Sequence, residues 1–229
     1  YIASQNGRLD VVDYLISQQA NLEASCSHGS TALYIACQQG QLGVVNLLLQ
    51  KGANVDAVFK SGFTPLYVAC RNGHVEISKT LIAHGAFIEA KDGDGSTPLY
   101  VAPKSKLQTQ CPSNMSGHHE CVKLLLRHGA NPESIFMVLY FTASVTNVQD
   151  GYSPLYIASQ NGHDRVVKLL CKKKARVNRI CGNGSSKCLQ DHMTHQQLVD
   201  VASQNGHDKV VYWLLRYHAN TEVVFGGGY

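Results

Sequence analysis

Apolar and polar residues follow one another along this chain in a recurring order. The stretch 64–70 reads TPLYVAC, an apolar run that opens with a threonine suited to cap a helix and a proline suited to its first turn. Asn72 and Gly73 interrupt the run, and a second apolar run, Val75–Ala83, follows. Gly85 then provides a left-handed cap. The pattern predicts two short helices joined by a tight turn.

This helix pair recurs six times in one register. The turn glycines are separated by 33, 33, 44, 45 and 44 residues, and so are the alanines that follow the second helix. The glycines are Gly7, Gly40, Gly73, Gly117, Gly162 and Gly206, and the alanines are Ala20, Ala53, Ala86, Ala130, Ala175 and Ala219. The longer steps exceed 33 by 11 or 12, which indicates three insertions, at about 103–113, 136–147 and 185–195. We therefore predict a single array over 1–229, with repeats at about 1–27, 28–60, 61–93, 94–149, 150–182 and 183–229.

Each predicted helix pair is too small to bury its own apolar faces. The second helix of one copy, Leu42–Gln50, is apolar on more than one side, so it must be covered by neighbouring repeats. The segments between repeats, such as 87–95, are rich in Gly and Asp, as hairpin turns are. In three repeats Gln19, Lys174 and His218 replace the cap glycine, where a side chain costs on the order of 1 kcal/mol.

The segments GSTPLY at 95–100 and GYSPLY at 151–156 resemble the ankyrin signature Gly-x-Thr-Pro-Leu-His. The resemblance implies an all-α, ankyrin-type helix-turn-helix solenoid with β-hairpin turns between repeats. Tyrosine replaces the signature histidine at Tyr34, Tyr67, Tyr100 and Tyr156. We expect a partly buried tyrosine ladder; packing between repeats and an aromatic row facing a partner are both compatible with it.

The same resemblance implies a protein-protein interaction scaffold or adaptor that binds on its concave hairpin and first-helix surface. The partner-binding residues expected at the matching positions are Ser27, His28, Ser30, Gln38, Gln39, Val58, Lys60, Ser61, Phe63, Arg71, Asn72, Lys91, Asp94, Ser96, Gln149, Tyr152, Gln160 and Asn161. Phe63, Tyr152 and Arg71 are the expected anchors, since aromatic and arginine side chains dominate interface energetics. Two alternatives stay open: the substrate-recognition segment of a larger enzyme or ubiquitin ligase, and a small zinc-binding insertion on the scaffold.

Composition narrows the range of partners. Lys and Arg number 20 against 16 Asp and Glu, giving a net charge of +4 with no basic stripe, so no nucleic-acid partner is expected. No apolar run is long enough to span a membrane. Cys37 and Cys70 lie at equal phase as small buried residues, which suits a reducing, cytoplasmic compartment. The chain opens within a repeat, so we read it as a fragment of a monomeric array.

The candidate chemistry is sparse. Cys181, Cys188, His192 and His195 have residue types that suit zinc, although the cysteine spacing is wider than usual, and Cys111, His118, His119 and Cys121 form a looser cluster. Histidines also recur directly after the turn glycine, at His74, His118, His163 and His207, which favours a structural role over a catalytic one. With no serine elbow, phosphate loop or carboxylate pair, we expect neither a cofactor nor enzymatic activity.

Overall fold

The computed structural model of the protein describes residues 1–59, 61–104, 114–134, 152–178 and 197–219. The chain divides into two compact units, Tyr1–Asn131 and Pro132–Tyr229, here called unit 1 and unit 2. Both units are built from helix pairs, and no described segment forms a β-strand.

The described residues of unit 1 form four helix pairs. They are α1 (Ile2–Gln5) with α2 (Leu9–Ser17), α3 (Ala32–Gln39) with α4 (Leu42–Gln50), α5 (Pro65–Arg71) with α6 (Val75–Ala83), and α7 (Pro98–Val101) with α8 (Asn114–Arg127). A single 3₁₀ turn, Ala102–Lys104, extends α7. The first helices stack on one another, α3 between α1 and α5, and the second helices do the same, α4 between α2 and α6.

Unit 2 contains two described helix pairs, α9 (Pro154–Gln160) with α10 (Asp164–Lys172), and α11 (Leu198–Gln204) with α12 (Asp208–Arg216). The helix α11 packs on α9 and α12 packs on α10. The stacking predicted from the apolar second helices is therefore present in both units. It buries such side chains as Val44, Leu48 and Leu81 in unit 1 and Leu170 in unit 2.

The first helices begin where their hydroxyl residues predict. The side chains of Thr31, Thr64, Thr97 and Ser153 accept hydrogen bonds of 3.2 to 3.3 Å from the backbone N–H three residues on. That bond satisfies one of the N–H groups that the first turn of a helix leaves unpaired. At this position before α11 the hydroxyl residue is replaced by Gln197, which makes no side-chain cap bond.

The second helices end with a residue in the left-handed region, as the cap pattern predicts. Gly52, Gly85 and Gly129 have φ of +88°, +86° and +90°. At the same position in the other repeats Gln19, Lys174 and His218 adopt φ of +61°, +63° and +63°. These three side chains are therefore held in a conformation that favours glycine.

Tight turns lead from α2, α4 and α6 to the first helix of the next repeat. The backbone N–H groups of Cys26, Phe59 and Asp92 donate to the carbonyl oxygens of the residues four positions later, at 3.0, 2.9 and 3.0 Å. These bonds close hairpin-type turns at 26–30, 59–63 and 92–96. The β-hairpins expected between repeats are thus present as turns without flanking strands in the described ranges.

The predicted turn at Gly117 is wrong. Asn114–Arg127 is one continuous α-helix, so Gly117 lies within it, and the first helix of this repeat is shortened to Pro98–Val101. Pro103 cannot extend α7 as an α-helix without losing a hydrogen bond, which is why only a 3₁₀ turn follows. The residues after the insertion instead lengthen α8, because each residue added to an existing helix gains a bond, and one internal glycine costs only about 1 kcal/mol.

Several predicted features lie outside the described residues. These are the insertions at 136–147 and 185–195, most of that at 103–113, and the residues Lys60, Cys111, Gln149, Cys181, Cys188, His192 and His195. Among the helices that are described, none has the length and apolarity needed to cross a membrane.

Candidate protein-binding surface

The turn tips and the ends of the first helices present most of the expected partner-binding residues to solvent. In unit 1 the exposed members are Ser27, His28, Gln38, Gln39, Val58, Ser61, Arg71, Lys91 and Asp94, and Phe63 and Asn72 are half-buried. In unit 2 Tyr152, Gln160 and Asn161 are half-buried.

Ser30 and Ser96 are wrong as surface residues, because both are buried. Each closes its turn through backbone hydrogen bonds. The Ser96 carbonyl accepts from the Asp92 N–H, and the Ser96 N–H donates to Asp92 Oδ1 at 2.7 Å. The Ser30 carbonyl accepts from the Cys26 N–H in the same way. A repeat pattern identifies the turn, but burial within the turn depends on these bonds.

Four aromatic rings form a continuous row in unit 1, which we call the aromatic stack: Tyr34, Phe59, Phe63 and Tyr67. The ring centroids of Tyr34 and Phe59 are 5.0 Å apart, those of Phe59 and Phe63 6.2 Å, and those of Phe63 and Tyr67 4.8 Å. All three pairs are stacked, at separations typical of favourable aromatic contacts. In unit 2 Tyr152 and Tyr156 repeat part of this arrangement at 4.7 Å.

The predicted tyrosine ladder is more deeply buried than expected. Tyr34, Tyr67, Tyr100 and Tyr156 are all buried, which favours packing between repeats over a row that faces a partner. Burial raises the pKa of Tyr34 and Tyr67, and the hydrogen bond to the Asp92 carboxylate raises that of Tyr67 further. Both hydroxyls therefore stay neutral donors. Phe59 and Phe63 are half-buried, so they are the members of the stack that reach solvent.

Arg71, at the end of α5, adds a cation beside the aromatic stack. It follows Tyr67 by four residues in α5, which places the two side chains on the same side of the helix. Its positive charge opposes the upward pKa shifts of Tyr34 and Tyr67. The ion pairs between described residues involve other cations, namely Lys51, Lys79 and Lys123. Arg71 is thus an exposed charge next to half-buried apolar rings.

The repeated histidines hold the backbone of this surface in place. His74 Nε2 lies 3.2 Å from the Gln38 carbonyl oxygen, and His118 Nε2 lies 2.9 Å from that of Arg71. In unit 2 His207 Nε2 lies 3.1 Å from the Gln160 carbonyl oxygen. Each ring satisfies a carbonyl at the open end of the preceding first helix. The structural interpretation of these histidines is confirmed at these three positions.

The turn glycines make room for these rings. A Cβ atom on Gly40 would lie 2.9 Å from His74 Cε1, and one on Gly73 would lie 3.0 Å from His118 Cε1. Both glycines also have positive φ. Glycine is therefore required at these positions for two reasons: the backbone has a positive φ, and a Cβ atom would collide with the histidine ring of the next repeat.

A second periodic contact escapes the sequence analysis. The carboxylates of Glu23, Asp56, Glu89 and Glu133 accept hydrogen bonds of 2.8 to 3.2 Å from backbone N–H groups 31 to 43 residues later. The four acids follow the register of the turn glycines, with steps of 33, 33 and 44. This register is the sequence signal from which the contact could have been predicted. Each hydrogen bond links the loop of one repeat to the loop of the next.

The buried cysteines, Cys37, Cys70, Cys121 and Cys171, serve packing. Cys70 and Cys121 are buried on either side of Ser78, whose Oγ lies 3.6 Å from the first sulfur and 3.7 Å from the second. Two members of the loose candidate cluster, His118 and Cys121, thus make contacts between repeats, to the Arg71 carbonyl oxygen and to Ser78 Oγ. The described part of the chain contains no group of three or more His, Cys, Asp or Glu residues that could hold a metal ion.

Comparison with known proteins agrees with this architecture. The family model for ankyrin repeats (3 copies) matches residues 1–59, 53–135, 113–181 and 143–224, and so nearly the whole chain. The chain belongs to the ankyrin repeat family. Its fold is the all-α ankyrin solenoid, and ankyrin repeats are generally modules for protein-protein interaction, typically without catalytic activity.

A solved ankyrin structure resembles the whole chain. The ankyrin repeat domain of human ASB11 superposes with a TM-score of 0.71 at 25% sequence identity, over 95% of this chain and 82% of that one. No curated protein sequence matches the chain significantly. The ankyrin array of this protein is thus identified by its fold and its repeat pattern.

Proposed function

We propose that this ankyrin array is a scaffold or adaptor that binds a partner protein on the turn and first-helix surface of unit 1. The observation that carries the proposal is the half-buried edge of the aromatic stack, at Phe59 and Phe63, with the exposed Arg71 one helical turn after Tyr67 in α5. Aromatic and arginine side chains that are already held in place lose little entropy when a partner covers them.

The surroundings of this centre fit a protein partner. The turn tips and helix ends of the same repeats carry exposed polar residues, namely Ser61, Gln38, Lys91 and Asp94. An apolar centre within a polar rim is the usual anatomy of a protein interface. Val58, with 61% of its side chain exposed next to the stack, adds an apolar contact.

A double substitution tests the proposal. Phe63→Ala with Arg71→Ala removes one ring edge and the cation, and we expect partner affinity to fall at least about tenfold, since interface anchors contribute about 2 kcal/mol or more each. The matched control is Tyr14→Ala with Arg127→Ala, which removes an aromatic ring and an arginine from exposed positions on the second helices α2 and α8.

Affinity capture with quantitative mass spectrometry on the unchanged chain and both variants identifies the proteins whose recovery depends on the surface. One such protein is then purified and titrated against all three chains by calorimetry. Circular dichroism and the urea midpoint verify that both variants remain folded. If the captured protein binds the test and control variants with equal affinity, Phe63 and Arg71 do not contribute to the interface, and the proposed location of the binding surface is wrong.

A further inference from the structure

Basic residues are concentrated on the second helices of unit 2. The segments 164–176 and 208–216 contain eight Lys and Arg against two Asp, a net charge of +6. The whole chain has a net charge of +4, so all its other residues together carry −2. The two segments contain α10 and α12, which pack side by side, and the fold therefore gathers cations that are far apart in the sequence.

One position on the second helices changes from acidic to basic between repeats. In the third and fourth repeats it holds a glutamate, which pairs with the lysine three residues later, Lys79 or Lys123, at 2.6 and 3.0 Å. In the fifth and sixth repeats it holds an arginine or a lysine. The four residues, in the register of the turn glycines, are Glu76, Glu120, Arg165 and Lys209. Among the described residues, no Lys or Arg side chain of α10 or α12 forms an ion pair.

The exposure of this position does not depend on the ends of the chain. Glu76 and Lys79 lie on α6, which packs between α4 and α8, and 64% and 52% of their side chains are exposed. This side of a second helix thus faces solvent even when both neighbouring helices are present. Arg165 and Lys209 are likewise exposed at the equivalent position.

Five cations and a tryptophan share this side of α10 and α12. On α10 the cations are three and four residues apart, and on α12 the residues are four and three apart, spacings that keep side chains on one side of a helix. We call these residues the basic face: Arg165, Lys168, Lys172, Lys209, Trp213 and Arg216. The aspartates of these helices, Asp164 and Asp208, each lie at the first helical position, where a negative charge stabilises the helix terminus.

Trp213 holds two of these cations in place. Its ring centroid lies 4.2 Å from Lys168 Nζ, on the neighbouring helix, and 5.5 Å from Arg216 Cζ. Arg216 Nη1 also donates to the hydroxyl of the exposed Tyr212 at 3.0 Å. Such contacts attract a cation to the ring without neutralising its charge. The basic face therefore presents positive charges that are fixed beside aromatic rings.

We propose that the basic face binds a membrane surface that contains anionic phospholipids. A cluster of four or more Lys and Arg is attracted to such a surface, and each contributes about fivefold to the binding constant. Tryptophan and tyrosine rings are favoured at the level of the lipid headgroups, where an apolar body and a polar edge are both satisfied. The basic face combines these two features on the sides of two adjacent helices. The proposal concerns unit 2 and is independent of the surface proposed on unit 1.

The aromatic contacts favour a membrane over other polyanions. A single-stranded nucleic acid stacks its bases on exposed rings, but Lys168 Nζ already occupies one face of Trp213. An acidic protein segment would pair with the cations and leave the rings without a role. At a membrane surface the cation stays on the ring while both contact the headgroups.

Lipid vesicles test the proposal on the whole chain. Flotation compares vesicles of phosphatidylcholine with about 30% phosphatidylserine against vesicles of phosphatidylcholine alone. We expect at least about tenfold stronger binding to the anionic vesicles, and loss of this difference between about 0.05 and 0.5 M sodium chloride, because salt screens the attraction. Trp213 is the only tryptophan of the chain, so a shift of its emission to shorter wavelength shows that the basic face itself meets the bilayer.

Two variants with the same change in net charge locate the binding. Arg165→Glu with Lys209→Glu introduces the acid that the third and fourth repeats carry at this position, and should weaken binding to anionic vesicles by at least about 25-fold. Lys79→Glu with Lys123→Glu alters α6 and α8 instead, and should weaken binding by less than about threefold, since distant charges are screened. Circular dichroism and the urea midpoint verify that both variants are folded.

Four results would overturn the proposal: equal binding to neutral and anionic vesicles, equal losses in the two variants, an unchanged Trp213 emission on binding, or tighter binding to polyglutamate or a single-stranded oligonucleotide at equal concentration of negative charge. The last result would assign the basic face to an acidic protein or to a nucleic acid. Phe63 and Arg71 are unchanged in both variants, so the outcome is independent of protein binding on unit 1.

Discussion

Gly162 and Gly206 allow the requirement for a turn glycine to be separated into its two causes. Each lies in the turn between the two helices of its own repeat in unit 2, with φ of +74° at Gly162 and +70° at Gly206. A Cβ atom at Gly162 would lie 2.7 Å from His207 Nδ1, whereas one at Gly206 would meet no described atom within 4 Å. Substitution by alanine therefore strains the backbone at both sites and displaces a histidine at only one.

The expected magnitudes follow from these contacts. An alanine held at positive φ costs about 1–2 kcal/mol, offset by about 0.4–1 kcal/mol because alanine restricts the unfolded chain. Gly206→Ala should thus reduce the free energy of unfolding by about 1 kcal/mol. At Gly162 the ring must also give up its 3.1 Å contact with the Gln160 carbonyl oxygen, worth about 1 kcal/mol more. We expect Gly162→Ala to cost about 2 kcal/mol.

Urea unfolding followed by tryptophan fluorescence measures both values. Trp213 is the single tryptophan of the chain, and its ring lies 4.2 Å below Lys168 Nζ, so its emission reports the contact between α10 and α12. The decisive measurement is Gly162→Ala made in a His207→Ala background, where its cost should fall to that of Gly206→Ala. If the cost at Gly162 is unchanged once the ring is gone, steric displacement of the histidine is refuted.

Three further predictions concern single side chains. Lys174→Gly relieves a φ of +63° and should raise the free energy of unfolding by about 0.5–1 kcal/mol in urea; a decrease would contradict backbone strain. Glu89→Ala removes the acceptor 2.8 Å from the Asn131 N–H and should cost about 1 kcal/mol, with faster exchange of that amide; unchanged exchange would contradict the contact. Desolvation raises the pKa of Cys26, but hydrogen bonds from turn residues outweigh it and set the pKa at about 7. Iodoacetamide labelling should therefore reach half its maximal rate near pH 7, and a midpoint at the ordinary thiol pKa would contradict those bonds.

Much of the fold can be predicted from local requirements that recur in every repeat. Thr64 before Pro65 predicts the start of a helix because a hydroxyl there satisfies the first free N–H groups. Gly85 predicts the end of the second helix, α6, because the left-handed conformation of the cap disfavours most side chains. The positive φ at Lys174 could be predicted too, since the register places it where glycine stands elsewhere.

The errors arise where the repeat pattern alone does not determine the local backbone conformation or the burial of a turn residue. Gly117 follows the register of the turn glycines. An insertion precedes it, however, and the residues on either side extend α8 instead of forming a turn. Ser30 and Ser96 lie in turns that are exposed as a whole, and only the bonds within each turn bury them. No pattern of residue types distinguishes a turn serine that faces inward from one that faces outward.

The carboxylates show a different limit. Asp56 accepts from the Phe87 N–H, a partner 31 residues away, so no local propensity indicates the bond. The register places Glu23, Asp56 and Glu89 at equivalent positions, yet an acid repeated on a solvent-exposed loop is equally consistent with solubility alone. Only the stacked geometry shows that each acid reaches the loop of the next repeat.

These contacts link stability to the proposed function. The residues expected to contact a partner, Gln38 and Arg71, are the ones whose carbonyl groups are bound by His74 and His118 of the following repeats. Burial lowers the pKa of His74, which keeps its ring neutral and able to hold this contact near neutral pH. The side chains on the surface can therefore vary in sequence while their backbone stays fixed from behind. A surface built in this way can change its partner without changing its fold, because recognition depends on exposed side chains and stability depends on contacts between repeats.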